Sequence, residues 1–287
     1  MKSSPRKSCE KVMSSKTYFK FICFLARLVF PKARMLYETA PDDAPGVFVC
    51  NHARICGPVM ITLDFSRPHA NWIISSAMDR EKCESYAFHD VFIGMSRRHK
   101  GVWRVLAKAV KVLLPPILEN VESAPVYHDR RVIETFKKSV EQLEKGRDLV
   151  IFAESPKRRS GYVNELQRGF VDVGRYYWKH AGVRIKFYPA YVERKNRAIC
   201  VGTPIEYDPE LPAKEQRERI CRYLEEGIDR IAGGLKAHKP IEFMEPRWYE
   251  AYGRYENDFE GYWRMVDSGE GIKKPPRRAR GAEGEGQ

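Results

Sequence analysis

The stretch that decides the fold class is DLVIF at residues 148–152, the clearest strand pattern in the chain. An amphipathic helical pattern precedes it at 132–144, and Gly146 ends that helix. A second buried strand, VFVC at 47–50, is followed by a helix that we predict from Pro58 onward. Because buried strands alternate with helices, we predict an α/β fold with a mixed, largely parallel sheet flanked by helices.

The remaining periodic segments continue this alternation and divide the chain. Further strands are predicted at 71–76, 183–192 and 198–201, and further helices near 79–84 and at 102–114, 166–180 and 213–231. We place a basic arm with an amphipathic helix at 1–40, one α/β domain at 41–240, an aromatic helix at 241–267 and a disordered tail at 268–287. The aromatic helix either packs against the domain or faces a membrane or partner.

Composition and cysteine usage exclude several classes of protein. Hydrophobic residues make up 43% and charged residues 31%, so a core is available and wholesale disorder is excluded. No stretch of about 18 residues lacks charge, which argues against a conventional membrane span. The seven cysteines are odd in number and none are spaced as C-x-x-C, so they indicate reduced thiols in a cytosolic compartment.

Positive charge is concentrated in the N-terminal arm. The formal net charge is +13, and residues 1–35 hold nine Lys or Arg and one Glu. This distribution indicates a local anionic surface, and we expect no nucleic-acid partner. In the segment 16–30, Lys16, Lys20 and Arg27 form a narrow stripe on an otherwise apolar helix. That helix either lies in a membrane interface or docks on the protein's own core.

Polar side chains that follow two strong strands are the candidates for chemistry. His52 comes directly after the strand at 47–50, and Glu154 with a run of cations comes after the strand at 148–152. A near-neutral imidazole takes a proton from a hydroxyl, and clustered cations hold a phosphate. This pattern favours transfer to a hydroxyl of a phosphate-bearing substrate, although a structural histidine and a solvated loop explain it as well. Nucleotide-binding, hydrolase-elbow and zincin motifs are absent, and we expect no metal.

Five short blocks in sequence resemble those of the glycerolipid acyltransferase family, the lysophosphatidic acid acyltransferase-like enzymes with an N-H-x4-D motif. The blocks are Asn51-His52, 125–131 (PVYHDRR), 152–158 (FAESPKR), 187–191 (FYPAY) and 202–205 (GTPI). The resemblance runs from about residue 45 to 235. This chain departs from the motif at Gly57, where the family has its aspartate.

The resemblance implies a glycerol-3-phosphate acyltransferase-like fold and a set of roles. His52 would be the general base, and Glu154, Lys157 and Arg158, with Arg130 or Arg131, would bind the acceptor and its phosphate. The donor would be acyl-CoA or an acyl-carrier protein, with no cofactor. The N-terminal helix would dock on membrane phospholipid at the cytoplasmic face, as a peripheral protein. Because Gly57 replaces the aspartate, a non-catalytic lipid- or acyl-binding protein with this fold is the alternative.

Overall fold

The computed structural model describes residues 15–88, 92, 100–155 and 157–243. The first part of the basic arm, most of the predicted aromatic helix and the whole predicted tail lie outside these residues. The eight strands are β1 Arg34–Tyr37, β2 Val47–Cys50, β3 His69–Ile74, β4 Ser123–Val126, β5 Asp148–Ile151, β6 Lys186–Glu193, β7 Ala198–Val201 and β8 Ile205–Glu206. The helices of the described residues are α1 Ser15–Val29, α2 Cys56–Asp64, α3 Ser75–Met78, α4 Cys83–Tyr86, α5 Lys100–Leu118, α6 Val132–Glu144, α7 Asp172–Ala181 and α8 Ala213–Gly233, and a 3-10 turn, Arg168–Val171, leads into α7.

All eight strands belong to one sheet. Their order is β1-β7-β6-β2-β5-β3-β4, and β8 pairs with β6 beside this path. The pairs from β6 through β2, β5 and β3 to β4 are parallel, as is β1 with β7, whereas β6 pairs antiparallel with β7 and β8. The predicted mixed, largely parallel α/β sheet is therefore confirmed.

Helices cover both faces of the central strands. Val47 and Val49 of β2 join the apolar cluster that includes Phe136 of α6 and Leu224 of α8. The alternate residue Phe48 joins the cluster on the other face, with Met60 and Ile61 from α2. Because successive strand residues point to opposite faces, a strand buried on both sides must be apolar throughout, which explains why VFVC reads as an uninterrupted hydrophobic run.

The sequence prediction missed three strands, of which two lie at the outer edges of the sheet and one is only two residues long. β1 and β4 are the outermost strands, and β8 is a two-residue pair with β6. β1 and β4 are only partly buried, so their sequences lack the continuous apolar run of β2 and β5. β4 also contains Pro125, which an edge strand tolerates. The sheet thus begins at Arg34, within the segment that we assigned to the basic arm.

The sheet topology places the candidate residues at one edge. β2, β5, β3, β4 and β6 are mutually parallel, so their carboxyl ends meet on the same side of the sheet. His52 follows β2 and Glu154 follows β5, its neighbour. Functional groups of open α/β sheets gather at this edge. No helix among the described residues has the length and apolar character that crossing a bilayer would demand.

Candidate active site

Asn51 fixes the point at which the chain leaves β2. Its side-chain oxygen accepts from the N–H of Val192 at 2.7 Å, and its side-chain nitrogen donates to the carbonyl of the same residue at 3.2 Å. Asn51 is buried, and these two bonds satisfy an amide that would otherwise be costly to bury. The end of β2 is thereby fastened to β6, and His52 starts from a rigid position.

A tight loop connects His52 to α2. Ala53 and Arg54 have left-handed backbones, with φ of 44° and 55°. Such a conformation costs a non-glycine residue roughly 1–2 kcal/mol. The loop closes through the N–H of Cys56, which donates to the carbonyl of Ala53 at 3.1 Å, and that of Gly57, which donates to the carbonyl of His52 at 3.2 Å. Because strained backbone conformations cluster at functional sites, two successive strained residues beside His52 support a functional role for this loop.

The loop leaves no room for a side chain at Gly57. A Cβ built there would lie 2.5 Å from the carbonyl oxygen of His52, 2.9 Å from that of Asn51 and 3.0 Å from Cε1 of Phe152. The aspartate that the family motif has at this position would require the backbone to move. The nearest downstream carboxylate, Asp64, is held by Arg27 at 2.8 Å. Neither position therefore supplies a carboxylate to the His52 imidazole.

Glu154 is joined to His52 through the main chain. One carboxylate oxygen accepts from the N–H of His52 at 2.5 Å, and the other accepts from the N–H of Asn164 at 3.0 Å. Burial raises the pKa of Glu154 to about 7, although the two N–H donors oppose that shift. The carboxyl group therefore ties the ends of β2 and β5 together through the main-chain N–H of His52, and not through its imidazole.

The imidazole of His52 is enclosed by aromatic rings. Phe152 and Phe243 each contact it edge to face, with ring centroids 5.3 Å away. Part of the residue stays exposed, but Nδ1 is inaccessible and has no hydrogen-bond partner in the part of the chain that the structure describes. Burial lowers the pKa of His52 to about 4, against the opposing effect of nearby backbone carbonyls. At neutral pH the ring is therefore uncharged.

Three cations follow Glu154, and each contacts carboxylates. Lys157 lies 3.4 Å from Glu165, and Arg158 lies 3.6 Å from Glu242. Arg159, the least exposed of the three, lies 2.7 Å from Asp229 and 3.7 Å from Glu225. Exposed ion pairs contribute roughly 0–1 kcal/mol, so a phosphate would displace the partners of Lys157 and Arg158 at small cost.

Arg130 and Arg131 lie farther along the sheet edge. They follow β4, which is separated from β2 by β5 and β3, so the two strand ends lie about 14 Å apart. The Arg131 guanidinium lies 4.4 Å from the ring centre of Tyr127 and binds Asp129, and the side-chain bond from Arg131 holds the pKa of Asp129 at about 2. Arg131 lines a separate groove of about 370 Å³ near β3 and β4. The structure does not bring these arginines next to His52.

Two further residues at the site were missed by sequence reasoning. Asn164 binds Glu154 through its N–H and the carbonyl of Ser155 through its side chain, at 3.0 Å in each case. Phe243 covers His52 from a position 191 residues away in the chain. Asn164 had one weak signal, its place in the polar loop after β5. Phe243 lies at the start of the segment predicted as an aromatic helix, where the described residues 241–243 are not helical, and nothing in that pattern connects it with His52. In the described part of the chain, no three His, Cys, Asp or Glu side chains are grouped to hold a metal ion.

Comparison with known proteins finds a structural likeness. No protein-family model matches the chain, and no curated protein matches it at the significance required. Among solved structures, the chain is similar to the 1-acyl-sn-glycerophosphate (LPA) acyltransferase PlsC from Thermotoga maritima, at 16% identity and a TM-score of 0.41, over 78% of this chain and 81% of that one. The α/β fold of this chain is established by its own strand pairing and does not depend on this likeness.

Proposed function

We propose that the protein is an O-acyltransferase that uses His52 as its general base. It moves a fatty acyl group from acyl-CoA or an acyl-carrier protein to the hydroxyl of a lysophospholipid or a glycerol phosphate. The observation that carries the proposal is the 2.5 Å bond from the His52 N–H to Glu154, which joins the two polar strand ends at the carboxyl edge of the sheet. The ordered sequence blocks supply the reaction class.

The reaction requires one proton transfer at His52. The acceptor hydroxyl oxygen attacks the thioester carbonyl carbon, and the neutral imidazole takes the hydroxyl proton. The carbon–sulfur bond then breaks, and the thiolate recovers the proton from the imidazolium. Since the pKa of His52 is about 4, the ring is already in the form that accepts a proton. Glu154 acts on the backbone, because its carboxylate holds the N–H of His52 and so sets where the ring stands.

The acceptor phosphate is bound by Lys157 and Arg158. Both side chains are more than half exposed and exchange their present carboxylate partners for the phosphate. Arg158 is paired with Glu242, the neighbour of Phe243, so a phosphate on Arg158 frees the residue next to the ring that covers His52. Substrate binding and uncovering of the imidazole are coupled in this way. Arg130 and Arg131 are assigned to the outer part of the acceptor.

The protein acts as a peripheral protein at the cytoplasmic face of a membrane, where its lipid substrates lie. Support comes from α1, whose exposed Phe21, Phe24 and Leu28 lie on one side of the helix. Six described cysteines are free thiols, which fits a reducing compartment.

A second function is favoured by the space around Gly57. A carboxylate cannot be placed there without moving the backbone, and Nδ1 of His52 has no partner in the described residues. An imidazole without an orienting carboxylate is a poor base, and in the serine protease triad the loss of that carboxylate costs about 10⁴ in turnover. A non-catalytic lipid- or acyl-binding protein with this fold is therefore the alternative function.

One assay separates the two functions. Purified protein is given labelled acyl-CoA or acyl-carrier protein with lysophosphatidic acid or glycerol 3-phosphate, and acyl transfer is measured. We expect transfer, and a loss of about 10²–10⁴-fold in His52→Ala, the usual contribution of a general base. His180→Ala is the matched control, because His180 is an exposed histidine on α7. Full activity of His52→Ala would reject the mechanism, and acyl-chain binding without any transfer would favour the alternative.

A further inference from the structure

We infer that α1 and α5, which are far apart in sequence, together form one surface that docks on an anionic phospholipid membrane. The inference extends the proposed membrane association of α1 but is independent of acyl transfer. The two helices contact each other, and the Tyr18 hydroxyl of α1 donates to the carbonyl of Leu113 in α5 at 3.4 Å. From sequence alone, α5 was only a periodic apolar segment.

Most of the exposed large hydrophobic side chains of the described residues lie on these two helices. Ten of the fifteen belong to α1 or α5: Phe21, Phe24, Leu25, Leu28, Val29, Val102, Val105, Leu106, Val112 and Leu113. Leu28 is 70% exposed, and Val105 and Val112 are 66% and 69% exposed. Contiguous exposed apolar area of this kind marks an interaction site rather than ordinary surface.

The exposed side chains form a stripe on each helix. On α1 they recur at steps of three and four residues from Phe21 to Val29. On α5 the exposed side chains from Val102 to Leu113 follow the same steps, and the exposed Ala109 lies between Leu106 and Val112. Residues at such steps lie along one side of a helix. Each helix therefore packs with one side and leaves a continuous apolar side without a partner among the described residues.

An ion pair holds α1 against the domain with this stripe outward. Arg27, on the side of the helix opposite Leu25, binds the buried carboxylate of Asp64 at the end of α2 and donates to the carbonyl of Leu63 at 2.7 Å. Arg27 shares the cationic side of α1 with Lys16 and Lys20, and it anchors that side of the helix to the domain, whereas Lys16 and Lys20 are exposed. On α5, Lys111 likewise turns to Glu84 of α4, at 3.6 Å.

The charge of the two helices identifies the occupant as an anionic membrane. α1 and α5 together contain seven Lys or Arg and no Asp or Glu. Of these, Lys16, Lys20, Arg104 and Lys108 are exposed. Lipid phosphates attract such cations while the apolar stripe enters the acyl boundary. A second copy of the chain would bring two cationic surfaces together, which opposes dimerisation through this face.

The test is co-sedimentation of the full chain with vesicles of phosphatidylglycerol or of phosphatidylcholine. We expect binding to phosphatidylglycerol that is at least tenfold tighter than to phosphatidylcholine and weakens with salt. Val105→Asp in α5 and Leu28→Asp in α1 are each expected to weaken binding at least tenfold, because each removes a side chain from the buried area. The matched control, Val183→Asp, changes an exposed valine outside both helices and is expected to bind as the wild type does.

The outcomes distinguish this inference from the proposed function. If Leu28→Asp weakens binding and Val105→Asp does not, α5 has no part in the surface and the inference is wrong. Equal binding to both lipids would also overturn the inference. So would a wild-type protein that binds no vesicles and forms a dimer, if Val105→Asp dissociates that dimer. Vesicle binding by a protein without acyl transfer would support the inference while rejecting the enzyme. A urea-unfolding midpoint of Val105→Asp close to that of the wild type confirms that this variant is folded, whether or not the protein transfers acyl groups.

Discussion

The α-carbon of Gly57 faces the carbonyl oxygen of His52 so closely that a Cβ on Gly57 would lie 2.5 Å from that oxygen. The contact closes the strained loop between β2 and α2. The glycine is therefore required by the loop as built, and the loop itself has no room for the aspartate that the N-H-x4-D motif has at this position.

Replacing Gly57 with aspartate is expected to destabilise the protein rather than to complete a catalytic pair. The side chain must displace the backbone at Asn51 and His52, and overpacking of this kind costs about 1–3 kcal/mol. Urea unfolding of Gly57→Asp, compared with Gly233→Ala in α8, where a Cβ meets nothing, measures this cost. An aspartate variant as stable as the wild type and faster in acyl transfer would contradict our account.

The pH dependence of acyl transfer is expected to distinguish the free protein, in which Phe243 covers His52, from the substrate complex, in which Phe243 is displaced. Because burial lowers the pKa of His52 to about 4 in the free protein, the acidic limb of kcat/KM is expected near pH 4. Once substrate displaces Phe243, the ring is better hydrated and the acidic limb of kcat moves up toward the ordinary histidine value. Initial rates from pH 4 to 8 test this, and an acidic limb of kcat/KM at about 6.5 would show that His52 is not buried before substrate binds.

Glu154 is expected to make the protein less stable as the pH rises. Its pKa is about 7 in the folded state, against an ordinary value of 4.5, so between these two values the folded chain holds a proton that the unfolded chain has lost. The free energy of unfolding then falls with pH across this interval, by at most about 3 kcal/mol. His52, with its pKa lowered to about 4, acts in the opposite direction below pH 6.5.

A variant isolates the contribution of Glu154. In Glu154→Gln the decline between pH 4.5 and 7 disappears, while the opposing contribution of His52 remains. Urea unfolding at several pH values from 4.5 to 8 measures both proteins, with the more exposed Glu165→Gln as control. If wild type and Glu154→Gln change in parallel with pH, the carboxyl group titrates as it would in water.

Removing the ring of Phe243 is expected to expose His52. Diethyl pyrocarbonate acylates neutral imidazoles, and mass spectrometry of the peptide that contains His52 reports how fast it reacts. We expect the rate to rise several-fold in Phe243→Ala, because one of the two rings that enclose the imidazole is gone. Phe24→Ala, which removes an exposed ring from α1, is the control and should leave the rate unchanged. An equal rate in Phe243→Ala and wild type would mean that Phe243 does not limit access.

The sequence by itself was enough for the fold class and for the placement of two candidate residues. Both conclusions depend on local periodicity. Apolar runs predict the strands, helical spacing predicts the helices between them, and the predicted strand ends then place His52 after β2 and Glu154 after β5. The parallel sheet then turned two separate strand ends into neighbours. Edge strands such as β4 were missed because a half-exposed strand with a proline has no clear apolar pattern.

Only the tertiary structure decided what surrounds His52 and which helices share a surface. Four contacts join residues at least 37 positions apart in the chain. They are the ring contact of Phe243 with His52, the hydrogen bonds of Asn51 with Val192, the ion pair of Arg27 with Asp64 and the contact of α1 with α5. The space at Gly57 depends on the path of the loop around it. Side-chain periodicity reports which face of an element is buried, but the partner that buries it depends on how distant segments pack, which no local pattern encodes.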